Sequence, residues 1–158
     1  LYGPNDNYDL ENSHVLPALI RKIHEAKINN LPSVEIWGSG KPKREFLHAD
    51  DLASALIYLI NLDHDKFREV TNPDEAPLIN IGTGSDQSII DLATLIKNVI
   101  GFQGKFVFDT SKPDGTLRKI LDSQRLLDAG WKPLICLKEG LKITYEDFLK
   151  NMQNLTLK

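Results

Sequence analysis

Apolar residues along this chain switch repeatedly between helical spacing and short extended runs, and that alternation restricts it to the α/β class. Val15, Leu16, Leu19, Ile20, Ile23 and Ala26 recur every three or four positions and predict a helix from Ser13, capped by Asn12 or Ser13 with Pro17 in its first turn. Asp50 or Asp51 caps a second predicted helix running to about Leu62, with Leu52, Ala55, Leu56, Leu59 and Ile60 on one face. Ser88 to Asp91 reads as a capping box opening a helix to about Ile100. A short helix from Ser123 to Ala129 closed by Gly130, and a last one from Leu137 to about Met152, complete the helical set. Val34–Trp37, Arg44–His48, Leu78–Ile81 and Lys105–Phe108 read as extended, and residues 3–12, 63–77 and 111–118 as loops. About four short strands are too few for a complete doubly wound sheet.

The length of 158 residues fits one domain. Nineteen basic and 22 acidic side chains leave a net charge of -3, which argues against a general nucleic-acid binder. No apolar run approaches the roughly 18 residues of a membrane span, so no membrane partner is expected. The one cysteine, Cys136, cannot form an internal disulfide; it reads as a small core residue, and a cytoplasmic location is expected. Leu1-Tyr2 reads as the end of a strand broken by Gly3-Pro4, so the sequence reads as a piece of something longer.

Several groups of residues carry chemistry. Gly38-Ser39-Gly40 and Gly82-Thr83-Gly84 each follow an extended run, but Lys43 and Gln87 stand where a dinucleotide fingerprint needs its third glycine, so both read as turns. The segment Ser111 to Lys119 sets Lys112, Arg118 and Lys119 around Asp114. Its cations suit phosphate and its carboxylate suits sugar hydroxyls or the N–H edge of guanine; a solvated loop is the equal alternative. Trp37 with Arg44 nearby is either a nucleotide platform or a core tryptophan at a strand end. No two histidines have the helical spacing of a metal pair, so no metal site is expected. His14 is either a surface residue at a helix start or a general acid or base.

Taken together, Leu1-Tyr2-Gly3-Pro4-Asn5-Asp6-Asn7-Tyr8, Asn12-Ser13-His14-Val15, Trp37-Gly38-Ser39-Gly40, Arg44-Glu45-Phe46-Leu47-His48, Ile79 to Gly84, Ser111-Lys112-Pro113-Asp114-Gly115-Thr116 and Arg118-Lys119 resemble the GDP-L-fucose synthases of the extended short-chain dehydrogenase/reductase superfamily. That resemblance covers nearly the whole chain. It implies an NADPH-dependent epimerase and reductase that converts GDP-4-keto-6-deoxy-D-mannose to GDP-L-fucose, with proton exchange at C3 and C5 and reduction at C4. His14 matches the family's general acid; Cys136 does not match the cysteine that partners it there. Lys22, Trp37, Arg44 and Asp114 match positions that contact the substrate, with Lys119 in the same basic loop. Leu1 and His14 match positions near the cofactor.

Two features of the family are absent: the glycine-rich NADP motif and a Tyr-x-x-x-Lys pair. The implied fold is therefore the C-terminal, substrate-binding part of a Rossmann-type enzyme, spanning residues 1–158, without the N-terminal half that binds most of the NADPH. Segments near 45–62 and 77–84 are expected to pack onto that half. By itself such a chain is expected to be inactive, while the complete enzyme is expected to be a homodimer. Another nucleotide-sugar epimerase or dehydratase, or a non-catalytic nucleotide-sugar-binding module, are the competing readings.

Overall fold

The structure is a computed structural model that describes residues 1–71 and 78–156. In chain order its elements are α1 (Val15–Ile28), β1 (Ser33–Trp37), β2 (Lys43–Glu45), α2 (Ala49–Ile60), α3 (His64–Thr71), β3 (Asp86–Ser88), α4 (Ile89–Ile100), β4 (Lys105–Asp109), β5 (Arg118–Lys119), α5 (Gln124–Asp128) and α6 (Leu137–Thr156). The α/β class holds. The strands form two small sheets: β1 pairs with β4 in parallel, while β2 lies between antiparallel β3 and parallel β5.

The larger core is built by the helices whose periodicity is clearest. Leu16, Leu19, Ile20 and Ile23 of α1 meet Val34 and Ile36 of β1, Leu92, Ala93 and Ile96 of α4, and Leu141 and Phe148 of α6. Ser88 caps α4 as its spacing predicts: its hydroxyl accepts the Asp91 N–H at 3.1 Å. A second, smaller core gathers Leu47, Ala55, Leu59, Val70, Leu126 and Trp131.

Several expectations are corrected. His14, not Asn12 or Ser13, occupies the cap position of α1, and its side chain makes no capping bond. His48 caps α2, its Nδ1 accepting the Asp50 N–H at 3.2 Å. Asp51 is buried instead, its two oxygens accepting the backbone N–H groups of Leu134 and Ile135 at 2.9 and 3.0 Å. A buried carboxylate needs such donors, and only the fold brings residues so distant in sequence to it. Leu56 and Ile60 do not share the buried face of α2; they are exposed, as is Ile57.

Within the stretch read as a 63–77 loop, α3 forms where the Asp63 carboxylate accepts the Lys66 N–H at 2.9 Å. Residues 72–77 lie outside the described residues. Leu78–Ile81 is not a strand. An apolar run becomes a strand only beside a pairing backbone, and among the described residues no backbone pairs with this one. The strand in this region is β3, formed by the polar Asp86–Ser88 against β2. Arg118 and Lys119 leave the predicted loop to form β5. Cys136 is exposed rather than in the core.

Candidate nucleotide-binding groove

A shallow groove of about 170 Å³ opens where the end of β1, the start of β2 and the loop before β5 meet. Val15, Trp37, Pro42, Arg44, Ile89 and Asp114 line it. Asp114, distant in sequence from the other two, therefore shares one surface with Trp37 and Arg44. The core alternative for Trp37 is overturned: the ring is 55% exposed. Burial in β1 alternates, so Val34 and Ile36 fill the core and Trp37 faces outward.

The indole is held from several sides. Its Nε1–H donates to Glu35 Oε1 at 3.2 Å. The Lys22 ammonium, on α1, stands 4.6 Å from the ring centroid, and Lys112 Nζ stands 5.5 Å from it. Lys112 reaches the ring because Trp37 and Asp109 are register partners in the β1–β4 pair and the Lys112 N–H donates to the Asp109 carbonyl at 3.2 Å.

Asp114 is oriented by the turn after β1. One carboxylate oxygen accepts the Ser39 N–H at 2.6 Å, the other the Ser39 hydroxyl at 2.7 Å. These two bonds hold its carboxyl below the usual carboxylate range. Gly38 makes the approach possible: its φ is +77°, and a Cβ there would collide with the Asp114 carboxylate. In sequence Ser39 has the look of an ordinary turn residue. Its only local signal is its place between two glycines.

Arg44 borders a second cavity as well, about 370 Å³, lined also by Phe46, Gln87, Ile135 and Cys136. Lys119 is the β5 register partner of Arg44, so two cations stand on adjacent strands. The Arg118 guanidinium is engaged by Asp86 at 2.5 Å. His14 is exposed and immediately precedes Val15 of the groove wall. Leu1 is 68% exposed and lines neither cavity. Among the described residues no three His, Cys, Asp or Glu side chains converge on a metal position, and no helix is long and apolar enough to cross a membrane.

The two glycine turns do not fit the pyrophosphate of a dinucleotide. Asp114 fills the turn at Gly38. Glu45 fills the one at Gly82–Gly84, where its carboxylate accepts from the Gly84 N–H at 2.7 Å and the Thr83 hydroxyl at 3.2 Å. A fixed carboxylate in each turn repels the anion that such a cradle would hold.

Residues 1–73 match the NAD dependent epimerase/dehydratase family. The chain is 53% identical, over 96% of its length, to the probable GDP-L-fucose synthase 1 of Oryza sativa subsp. japonica, of which it covers 43%. It is 52% identical, again over 96% of its length, to the GDP-L-fucose synthase of Escherichia coli (strain K12), of which it covers 47%. The crystal structure of a GDP-L-fucose synthetase from Naegleria fowleri bound to NADP superposes with a TM-score of 0.81 at 30% identity, over 96% of this chain and 45% of that one. The chain thus spans about half the length of the relatives that it matches.

Proposed function

Because the chain belongs to the NAD-dependent epimerase/dehydratase family, we propose that it is the C-terminal, GDP-sugar-binding part of a GDP-L-fucose synthase. The complete enzyme in this reading is a cytoplasmic homodimer and a multifunctional isomerase and oxidoreductase. It epimerises GDP-4-keto-6-deoxy-D-mannose at C3 and C5 and reduces it at C4. NADPH is held mainly by an N-terminal Rossmann half, with Leu1 and His14 at the edge of the cofactor.

The observation that carries this reading is the groove itself. Trp37, Arg44 and Asp114 converge there, with Lys22 against the ring and Lys119 beside Arg44. A guanidinium and an ammonium on adjacent strands suit a diphosphate, an exposed indole suits the nucleoside, and a fixed carboxylate suits hydroxyl or N–H donors. His14 acts as the general acid at the sugar carbons, whose C–H groups the neighbouring ketone acidifies. The exposed Leu56, Ile57 and Ile60 of α2 and Leu78 support the reading that segments 45–62 and 77–84 pack onto the other half.

Titration calorimetry of this chain with GDP and, separately, with NADPH tests the proposal. GDP is expected to bind and NADPH is not. Binding of NADPH without GDP overturns the reading. In the complete enzyme, His14→Gln is expected to slow solvent deuterium entry at C3 and C5, and unchanged exchange removes its role.

A further inference from the structure

Two ammonium groups stand against one indole. Among the described residues neither Lys22 nor Lys112 sits in a salt bridge; the Lys112 charge acts on Asp109 only through space, and both ammonium groups stand within 5.5 Å of the Trp37 centroid. In the nucleotide-sugar reading the phosphates fall to other cations, on β2 and β5, where Arg44 and Lys119 are register partners. The Trp37 end of the groove therefore holds an aromatic face, ammonium N–H donors and the Asp114 acceptor. That combination answers a base, not a phosphate.

The chemistry of the base follows. A flat heterocycle stacked on the indole displaces a cation from the ring face and leaves the ammonium free to reach the edge of the base. An ammonium only donates. Guanine offers two adjacent acceptors, O6 and N7, whereas adenine places an amino donor beside its N7. Guanine also carries N–H donors on its N1 and N2 side, which a carboxylate accepts. Lys112 is the better placed of the two lysines: it lies farther from the ring, on the same loop as Asp114, and its backbone is tied to Asp109, the register partner of Trp37.

We infer that Lys112 reads the acceptor edge of guanine in a base subsite floored by Trp37, and so sets the base preference of the groove. This rests on the nucleotide-sugar reading above and adds to it the residue that selects the base.

The test is calorimetric titration of this chain and its Lys112→Met and Lys112→Arg variants with GDP, IDP, ADP and UDP. IDP keeps O6 and N7 but lacks the amino group. The unsubstituted chain is expected to bind GDP and IDP about 10-fold more tightly than ADP, the selectivity of a good base-edge contact. Lys112→Met is expected to bring GDP and ADP to within about 3-fold of each other with UDP unchanged; Lys112→Arg is expected to keep the preference. If Lys112→Met weakens all four by one factor, Lys112 contacts phosphate and the inference fails. It also fails if GDP binds and the variant leaves the GDP-to-ADP ratio untouched, although the nucleotide-sugar reading then stands. If the unsubstituted chain binds none of the four, both fall together.

Discussion

Ser39 holds both oxygens of Asp114, one through its backbone N–H at 2.6 Å and the other through its hydroxyl at 2.7 Å. The carboxylate is thereby fixed before any ligand arrives, and a preorganised acceptor spends no binding energy on finding its rotamer. Ser39→Ala removes the hydroxyl bond and keeps the backbone bond. The expected outcome is GDP affinity lowered by about 3- to 10-fold, the scale of one hydrogen bond to a charged group in a solvated site. Calorimetry of GDP binding checks it, and an unchanged affinity means that the orientation of Asp114 does not matter to the ligand. Because the same bonds depress the carboxyl pKa, Asp114 stays ionised throughout the ordinary pH range, so its contribution to GDP binding is lost only as pH falls through that depressed value. In Ser39→Ala the loss begins at a higher pH.

Glu45 joins three segments that only the fold brings together. Its carboxylate accepts from the Gly84 N–H, the Thr83 hydroxyl and the Leu121 N–H. Glu45→Ala leaves these donors without their acceptor and is expected to cost about 2 kcal/mol of stability. Glu45→Gln keeps one carbonyl oxygen and should cost less. Urea unfolding of both variants measures the difference, and equal stabilities would show that the carboxylate is dispensable to the turn.

Acid should loosen the contact between α1 and α6. His24 is buried on α1, its Nδ1 lies 2.9 Å from the Tyr145 hydroxyl of α6, and its ring meets Phe148 edge-on at 5.1 Å between centroids. Burial lowers its pKa below the ordinary histidine value. An unfolded histidine takes up a proton near pH 6.5 while the folded one does not. The contribution of His24 is thus fully present above about pH 6.5 and is lost as pH falls toward the depressed folded value. Urea midpoints between about pH 7.5 and pH 5.5 should decline, and His24→Phe should reduce that slope. An identical slope in the variant assigns the acid sensitivity to other groups.

The exposed face of α2 separates packing within this chain from packing onto another domain. Ile57 is 62% and Ile60 80% exposed. Ile60→Lys is expected to change the stability of this chain by no more than about 0.5 kcal/mol, as surface substitutions do. If segments 45–62 and 77–84 dock onto a Rossmann half, the same substitution weakens association with a separately produced N-terminal half by about 10-fold, the effect of losing an apolar anchor at an interface. Unchanged association in a pull-down titration would remove that docking face.

Local signals were enough for the parts of the fold held by local forces. Helical periodicity marked α1, α4 and α6, because each buries one apolar stripe against the others. The Ser88 cap was legible because its bond closes within three residues. Trp37, Arg44 and Asp114 were legible as candidates from their motifs, although motif alone left the indole either core or surface.

Long-range partners decided the rest. Leu78–Ile81 has strand composition and no strand, because pairing is a property of two backbones and not of one. Asp51 looked like a cap and became a buried acceptor for residues more than 80 positions away. The amino-acid sequence by itself determined the helices, their core faces and the residue types available for binding. Only the tertiary structure decided that Lys22 from α1, Trp37 from β1 and Lys112 from the loop after β4 meet at one ring, since nothing in their spacing encodes the β1–β4 register that brings that loop to the indole.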